Sequence, residues 1–168
     1  MEVNMALKKS SETVLISATI SETLPNTFSS QSVTLPLSPL DREVFVVTMV
    51  NLDPDAPDSV VALSTDVNVS LSVTARTGVG NISNSNVIAA ARSQIICNAG
   101  MTADGGIPFS REDQLTADPN TGWVGIIATD DFFLNIVGTN NGNPKTCRAR
   151  IYGYLRQAIA YASLRYLS

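Results

Sequence analysis

Over residues 66–76 the chain alternates without a fault: Val67, Val69, Leu71, Val73 and Ala75 stand between Asn68, Ser70, Ser72, Thr74 and Arg76. Period two is the side-chain repeat of a β-strand, so one face of this segment belongs to a core and the hydroxyl-rich face points outward. That pattern suits an antiparallel sheet packed on one side. Residues 12–22 and 31–37 read as further strands. The second is closed by Pro36 and Pro39, which cannot donate to a central ladder, and both strands are expected near sheet edges. Residues 42–52 (REVFVVTMVNL) are apolar on both faces and rich in β-branched side chains. This segment is expected to be buried on both sides, or to face a neighbouring subunit.

The rest of the chain keeps the same style. Residues 86–96 (NVIAAARSQII) suit either a short helix capped at Asn84 or Ser85 or a strand. Residues 97–120, rich in Gly, Ala, Asp and Pro, read as a long surface excursion of the kind that forms contact loops. Residues 131–137 and 147–156 flank Asn141-Gly142, a pair that favours tight hairpins, so neighbouring antiparallel strands are expected there, with 121–129 as a third. Residues 157–168 suit a short amphipathic helix or an extended arm. About eight strand candidates with little helix point to an all-β fold, an antiparallel β-sandwich, barrel or jelly roll. The expected organisation is an N-terminal arm at 1–11, a sandwich domain at 12–156 and a C-terminal tail at 157–168.

Composition narrows the class of function. The 168 residues are 44% hydrophobic and only 15% charged, too apolar for disorder and unusually poor in charge for a solvated surface. A surface of Ser, Thr, Asn and Gly suits a protein covered by neighbours, because packed interfaces are depleted in Lys, Glu and Asp. Eleven Lys and Arg stand against 15 Asp and Glu, for a net charge of −4. Apart from Lys8-Lys9 the basic residues form no arm, which argues against packaging nucleic acid by phosphate neutralisation. Arg148, Arg150, Arg156 and Arg165 are the one C-terminal grouping. No stretch reaches the ~18 apolar residues of a membrane span, so no transmembrane segment is expected. Cys97 and Cys147 are compatible with a disulfide or with two buried thiols.

Chemistry is constrained most by an absence in composition: the chain has no histidine. Ser-His-Asp and Cys-His mechanisms are therefore closed to it, and so are the commonest zinc geometries. Asp53, Asp55 and Asp58, or Asp130 and Asp131, allow a calcium site or an acid–base pair, but Asp beside Pro and Gly is also what polar turns contain. The turn reading is preferred, with no metal, cofactor or catalytic residue expected. Gly78-Val79-Gly80 lacks the spacing of a nucleotide-binding loop and reads as a turn. Trp123, the only tryptophan, follows residues 119–122 and suits either a loop edge or, preferred for so large a side chain, the core.

The one aromatic and cationic concentration is near the end. Alternation puts Arg148, Arg150, Tyr152, Tyr154 and Arg156 on one strand face and Ala149, Ile151, Gly153 and Leu155 on the other. Tyr and Arg are enriched at interfaces, although a solvated face with ordinary cross-strand pairs would look the same. With Tyr161 and Tyr166 of the tail and Phe45, Val47 and Met49 of the apolar segment, these residues form the expected assembly interface.

In its size, its short Ser/Thr/Asn-rich strands, its long polar loops and its closing GTNNGNPKTCRARIYGYLRQA segment, the chain resembles small single jelly-roll viral capsid or capsid-decorating proteins. The resemblance implies a sandwich that tiles a shell, with copies of itself or other virion proteins as partners and the virion as its location. It implies no enzymatic activity. The chain departs from small plant-virus-type coats in lacking a basic arm, which argues against direct genome contact and favours a shell over an internal membrane, or a cement protein on a preformed shell. The alternatives are a carbohydrate-binding or adhesin-like β-sandwich and, third, a two-carboxylate glycosidase.

Overall fold

The computed structural model describes residues 11–38, 40–97, 107–111 and 115–157, with side chains throughout except at 107–111 and 115. Ten strands and no helix occur among the described residues. They are β1 (Val14–Ser21), β2 (Ser29–Thr34), β3 (Glu43–Pro54), β4 (Thr65–Ser72), β5 (Val87–Ile96), β6 (Ile107–Arg111), β7 (Leu115–Thr116), β8 (Gly125–Ile127), β9 (Asp131–Thr139) and β10 (Thr146–Gln157). All pair antiparallel, in two five-stranded sheets. The first sheet runs β1-β10-β3-β7, with β8 also on β3, and the second runs β2-β9-β4-β5-β6.

The pairing is nested. First strand meets last, β1 with β10; second meets next to last, β2 with β9; β3 meets β7 and β8; β4 meets β5. A ribbon folded on itself in this way and wrapped into two facing sheets is a jelly roll, the form the sequence suggested. β1 and β2 stand at sheet edges, as expected for residues 12–22 and 31–37.

Between the sheets lies the core that alternation selects. β4 contributes Val67, Val69 and Leu71, β9 Phe132, Leu134 and Ile136, β3 Phe45, Val47, Val50 and Leu52, and β10 Cys147, Ala149 and Ile151. Small side chains at Ala89 and Ala91 on β5 complete the layer. No disulfide joins Cys97 to Cys147. Cys147 is fully buried, and burial pushes its thiol up to about 12.

One irregularity governs which side chains reach the core. On β10 the register against β3 shifts between Tyr152 and Gly153, so Tyr152 faces Met49 while Gly153 faces Val47, leaving Thr48 without an opposite number. A β-bulge of this kind reverses the phase of the strand that carries the extra residue. Phe45 and Val47 therefore point inward, Met49 outward, and Val50 and Leu52 inward again. Gly153 sits so close to β3 that a Cβ there would lie 2.4 Å from the Val46 carbonyl oxygen and 2.6 Å from Phe45 Cζ.

Several expectations need correction. The segments flanking Asn141-Gly142 are strands, but they are not neighbours: β9 pairs with β2 and β4, and β10 with β1 and β3. Their connection crosses from one sheet to the other, and positive φ falls on Asn140 (56°) instead of on the Asn141-Gly142 pair. Likewise β8, within the expected third strand, pairs with β3. Residues 86–96 resolve as strand β5, whose hydrogen bonds to β4 outweigh its helical spacing. The excursion at 97–120 contains β6 and β7. The N-terminal arm before Ser11 and the tail after Gln157 lie outside the described residues.

Gly153→Ala is expected to destabilise the domain by about 1–3 kcal/mol through overpacking. Gly78→Ala, where an added Cβ meets nothing within 4 Å, should change little. Urea unfolding of both variants checks the contrast, and equal stabilities would show that the bulge tolerates a side chain.

Candidate assembly face

The sandwich has two outer faces of unlike chemistry. On the β2-β9-β4-β5 sheet, Ser70, Ser72 and Asn135 point away from the core yet have no solvent exposure. The β4–β5 connection folds over them: Gly80 N donates to Ser70 Oγ at 3.2 Å, and beneath it Asn135 Nδ2 donates to Ser72 Oγ at 3.0 Å. Arg76 ties that connection to itself, donating from Nη1 to Asn86 Oδ1 at 2.7 Å and from Nε to Gly78 O at 3.2 Å. The hydroxyl-rich face read from the sequence is thus roofed by its own loop.

The outer face of the β1-β10-β3-β8 sheet is built differently. Cross-strand register sets its side chains in rows. Leu15, Tyr152, Met49 and Thr116 form one; Tyr154, Val46 and Ile126 form the next. Beyond them Ser17, Arg150 and Asn51 stand in line, then Thr19, Arg148 and Asp53. Leu15 is 50% exposed and Ile126 49%. Alternation produces this face because Val14, Ile16, Ala18 and Ile20 turn inward from β1, and Gly125 and Ile127 from β8.

Of the expected interface residues, Met49, Arg148, Arg150, Tyr152, Tyr154 and Arg156 share this outward face. Phe45 and Val47 do not. Both are fully buried between the sheets, because the bulge puts them out of phase with Met49. Tyr161 and Tyr166 lie outside the described residues. Leu15 and Ile126 were missed. The run Val14-Leu15-Ile16 carried a signal, since a strand apolar at three consecutive positions must show one of them outward. Nothing marked Ile126, whose three-residue strand is too short for a period. Trp123, expected in the core, is 46% exposed just before β8.

Of the carboxylates that suggested calcium, Asp55, Asp58 and Asp131 are engaged by the protein itself. Asp55 Oδ1 accepts from Arg148 Nη1 at 2.9 Å and Oδ2 from Thr146 N at 3.1 Å. Asp58 Oδ1 pairs with Lys145 Nζ, and Oδ2 accepts from Gly142 N at 2.9 Å and Asn143 N at 3.0 Å. Glu22, only 5% exposed, takes Gly138 N at 2.6 Å and Lys145 N at 2.9 Å. Asp131 accepts from Ser32 Oγ at 2.7 Å. Among the described residues no group of three or more potential ligands gathers to hold a metal. The Glu22, Asp55 and Asp58 contacts instead bind the β1–β2, β3–β4 and β9–β10 connections into one polar end of the sandwich. The Lys145 ammonium holds the Asp58 carboxyl below its ordinary range despite partial burial, helped by the Asn143 and Gly142 amides.

No protein-family model and no curated protein matches this chain. Among solved structures it is similar to one of Desmodium yellow mottle tymovirus, at 12% identity and TM-score 0.27, covering 90% of this chain and 93% of that one. It is also similar to the VP2 subviral particle of infectious bursal disease virus, at 9% identity and TM-score 0.25, covering 89% of this chain and 37% of that one. Likeness at that level carries no argument about function. Among the described residues no helix is long and apolar enough to cross a membrane.

Because the folded-state pKa of Asp58 is depressed, its stabilising contribution is present above the ordinary value of 3.8 and is lost as pH falls through the lower folded value. The stability difference between the wild type and Asp58→Asn should be full at neutral pH and narrow below 3.8. Chemical unfolding across pH reads it, and a difference constant with pH would refute the ion-pair account.

Proposed function

We propose that this domain is a structural subunit of a virion, a capsid or capsid-decorating protein that assembles through the outer face of its β1-β10-β3-β8 sheet. The observation that carries the reading is the contrast between the two outer faces. One is polar and closed by its own loop; the other presents Leu15, Met49, Tyr152, Tyr154 and Ile126 beside Arg150. Aromatic and arginine side chains around an apolar centre are the composition of an association surface, where a few such anchors supply most of the binding energy. The jelly-roll topology, which is common among capsid proteins though shared with lectins and other modules, and the low surface charge support the same reading.

In this account the strand faces, loops and terminal segments of neighbouring copies, or of other virion proteins, cover that sheet. An obligate contact of more than ~2,000 Å² would account for a chain 44% hydrophobic and only 15% charged. Chemistry of the hydrolytic kind has little support, since the chain has no histidine and Asp55, Asp58 and Glu22 are held in structural contacts. The binding-module alternative has one observation in its favour, the exposed Trp123.

Light scattering over a range of concentration and salt, with negative-stain imaging, tests the proposal. Rings, shells or stable multimers are expected, and a double variant Leu15→Glu/Ile126→Glu, at two exposed positions of the face, should abolish them while shifting stability little, as exposed substitutions do. A strict monomer under all conditions, alone and with other virion components, would overturn the reading. Fluorescence of Trp123 separates the alternative: glycan-dependent quenching of a monomer would favour the binding module, and an unresponsive tryptophan that becomes protected on assembly would favour the subunit.

A further inference from the structure

The chain contains one Asn-Gly pair, Asn141-Gly142, and the structure surrounds it with more contacts than a loop needs. Asn141 is only 4% exposed. Its Nδ2 donates to Asp66 O at 2.8 Å and its Oδ1 accepts from Asp58 N at 2.9 Å. Its own amide donates to Asn26 Oδ1 at 2.8 Å, and its carbonyl accepts from Asn26 Nδ2 at 2.9 Å. Gly142 N donates to Asp58 Oδ2 at 2.9 Å.

Asn-Gly is the dipeptide in which self-catalysed deamidation is least hindered, because glycine has no side chain to shield its nitrogen. The Gly142 amide nitrogen loses its proton to solvent base and attacks Asn141 Cγ. A new N–Cγ bond closes a five-membered succinimide, the Cγ–Nδ2 bond breaks, and ammonia leaves. Water then adds across either imide carbonyl and opens the ring to aspartate or isoaspartate, with no oxidant or reductant involved. Each group this step needs is held here. The nucleophilic nitrogen's N–H is donated to Asp58 Oδ2, and both ends of the side chain that must rotate toward it are bonded elsewhere.

We infer that Asn141 is a latent modification site, locked while the Asp58–Asn26–Asp66 clamp is closed, and converted to aspartate or isoaspartate when this end of the sandwich opens. Conversion then prevents reclosure. A carboxylate at 141 would set a negative oxygen against the Asp66 carbonyl, where an amide now donates. The Glu22 carboxylate lies close by as well: a Cβ built at Gly138 meets both Asn141 Nδ2 and the Glu22 oxygens within 3.3 Å. An unpaired charge enclosed there is costly. Isoaspartate also lengthens the backbone just after Asn140, which already holds a φ of 56°. The site would mark, irreversibly, subunits whose β1–β2, β3–β4 and β9–β10 connections have come apart.

Peptide mapping by mass spectrometry over a neutral-pH incubation tests this on the full chain. Residue 141 in the folded protein should convert at least about tenfold more slowly than in a free peptide spanning 138–146, since conversion waits for local opening. Asp58→Ala and Asn26→Ala should each speed it about tenfold, the second leaving the Asp58–Lys145 pair intact should the first fail to fold. Gly142→Ala, whose Cβ would stand an ordinary 3.7 Å from Asp58 Oδ2, should slow conversion without loss of stability. Equal rates in protein and peptide, or rates unmoved by opening the clamp, would overturn the inference. An Asn141→Asp chain as stable as the wild type would overturn its claim about reclosure.

Discussion

The close approach of β10 to β3 at Gly153 is the constraint on which the remaining structure depends. β10 is the strand between β1 and β3, and it brings the end of the chain against its beginning. The bulge at Thr48 of β3, opposite β10, lets Phe45 and Val47 fill the core from one half of β3, and Val50 and Leu52 from the other, while Met49 turns outward between them. Without the extra residue at Thr48, a single phase along β3 would send one of these pairs to the surface. The bulge therefore serves core and outer face together, and only glycine permits the backbones to come that near.

From that arrangement comes the division of labour between the two sheets. The sheet with β10 at its centre has no loop laid across its outer side among the described residues, and it shows apolar rows. The opposite sheet is covered by the β4–β5 connection, which places Gly80 against Ser70 and buries hydroxyls and an amide that alternation had directed to solvent. The two serine hydroxyls and Asn135 Nδ2 bond to one another and to the loop backbone, whereas Asn135 Oδ1 is buried without a hydrogen-bond partner. A face that has used its polar groups to hold a roof has few left for a partner.

Much of this was legible before any coordinates. The faultless alternation around Val67, Val69 and Leu71, the two-sided apolar run of β3 and the phase of Arg148, Arg150 and Tyr152 all follow from side-chain period, which is a local property. What period cannot carry is pairing. Asn141-Gly142 was read as a tight hairpin, yet its flanking strands belong to different sheets, because nested pairing of first with last strands outweighs the preference of one dipeptide. The bulge was invisible for the same reason, and Phe45 and Val47 were grouped with Met49 in the expected interface although only Met49 turns outward. Asp53, Asp55 and Asp58 looked like ligands or turn residues; that Asp58 holds a strand connection some eighty residues away depends on the fold alone, as the separation of 84 to Gly142 makes plain.

Long-range closure also explains why the polar groups are where they are. A ribbon whose first strand pairs with its last must hold together connections far apart in sequence, and such pairings return their free energy only after the loops have closed. Apolar contacts secure the middle of the sandwich. At the end, where three connections turn and backbone amides would otherwise lose water without replacement, directional acceptors are required. Glu22 and Asp58 meet that need, receiving between them the amides of Gly138, Gly142, Asn143 and Lys145. The acidic residues Glu22 and Asp58 near these turns are thus explained by the topology.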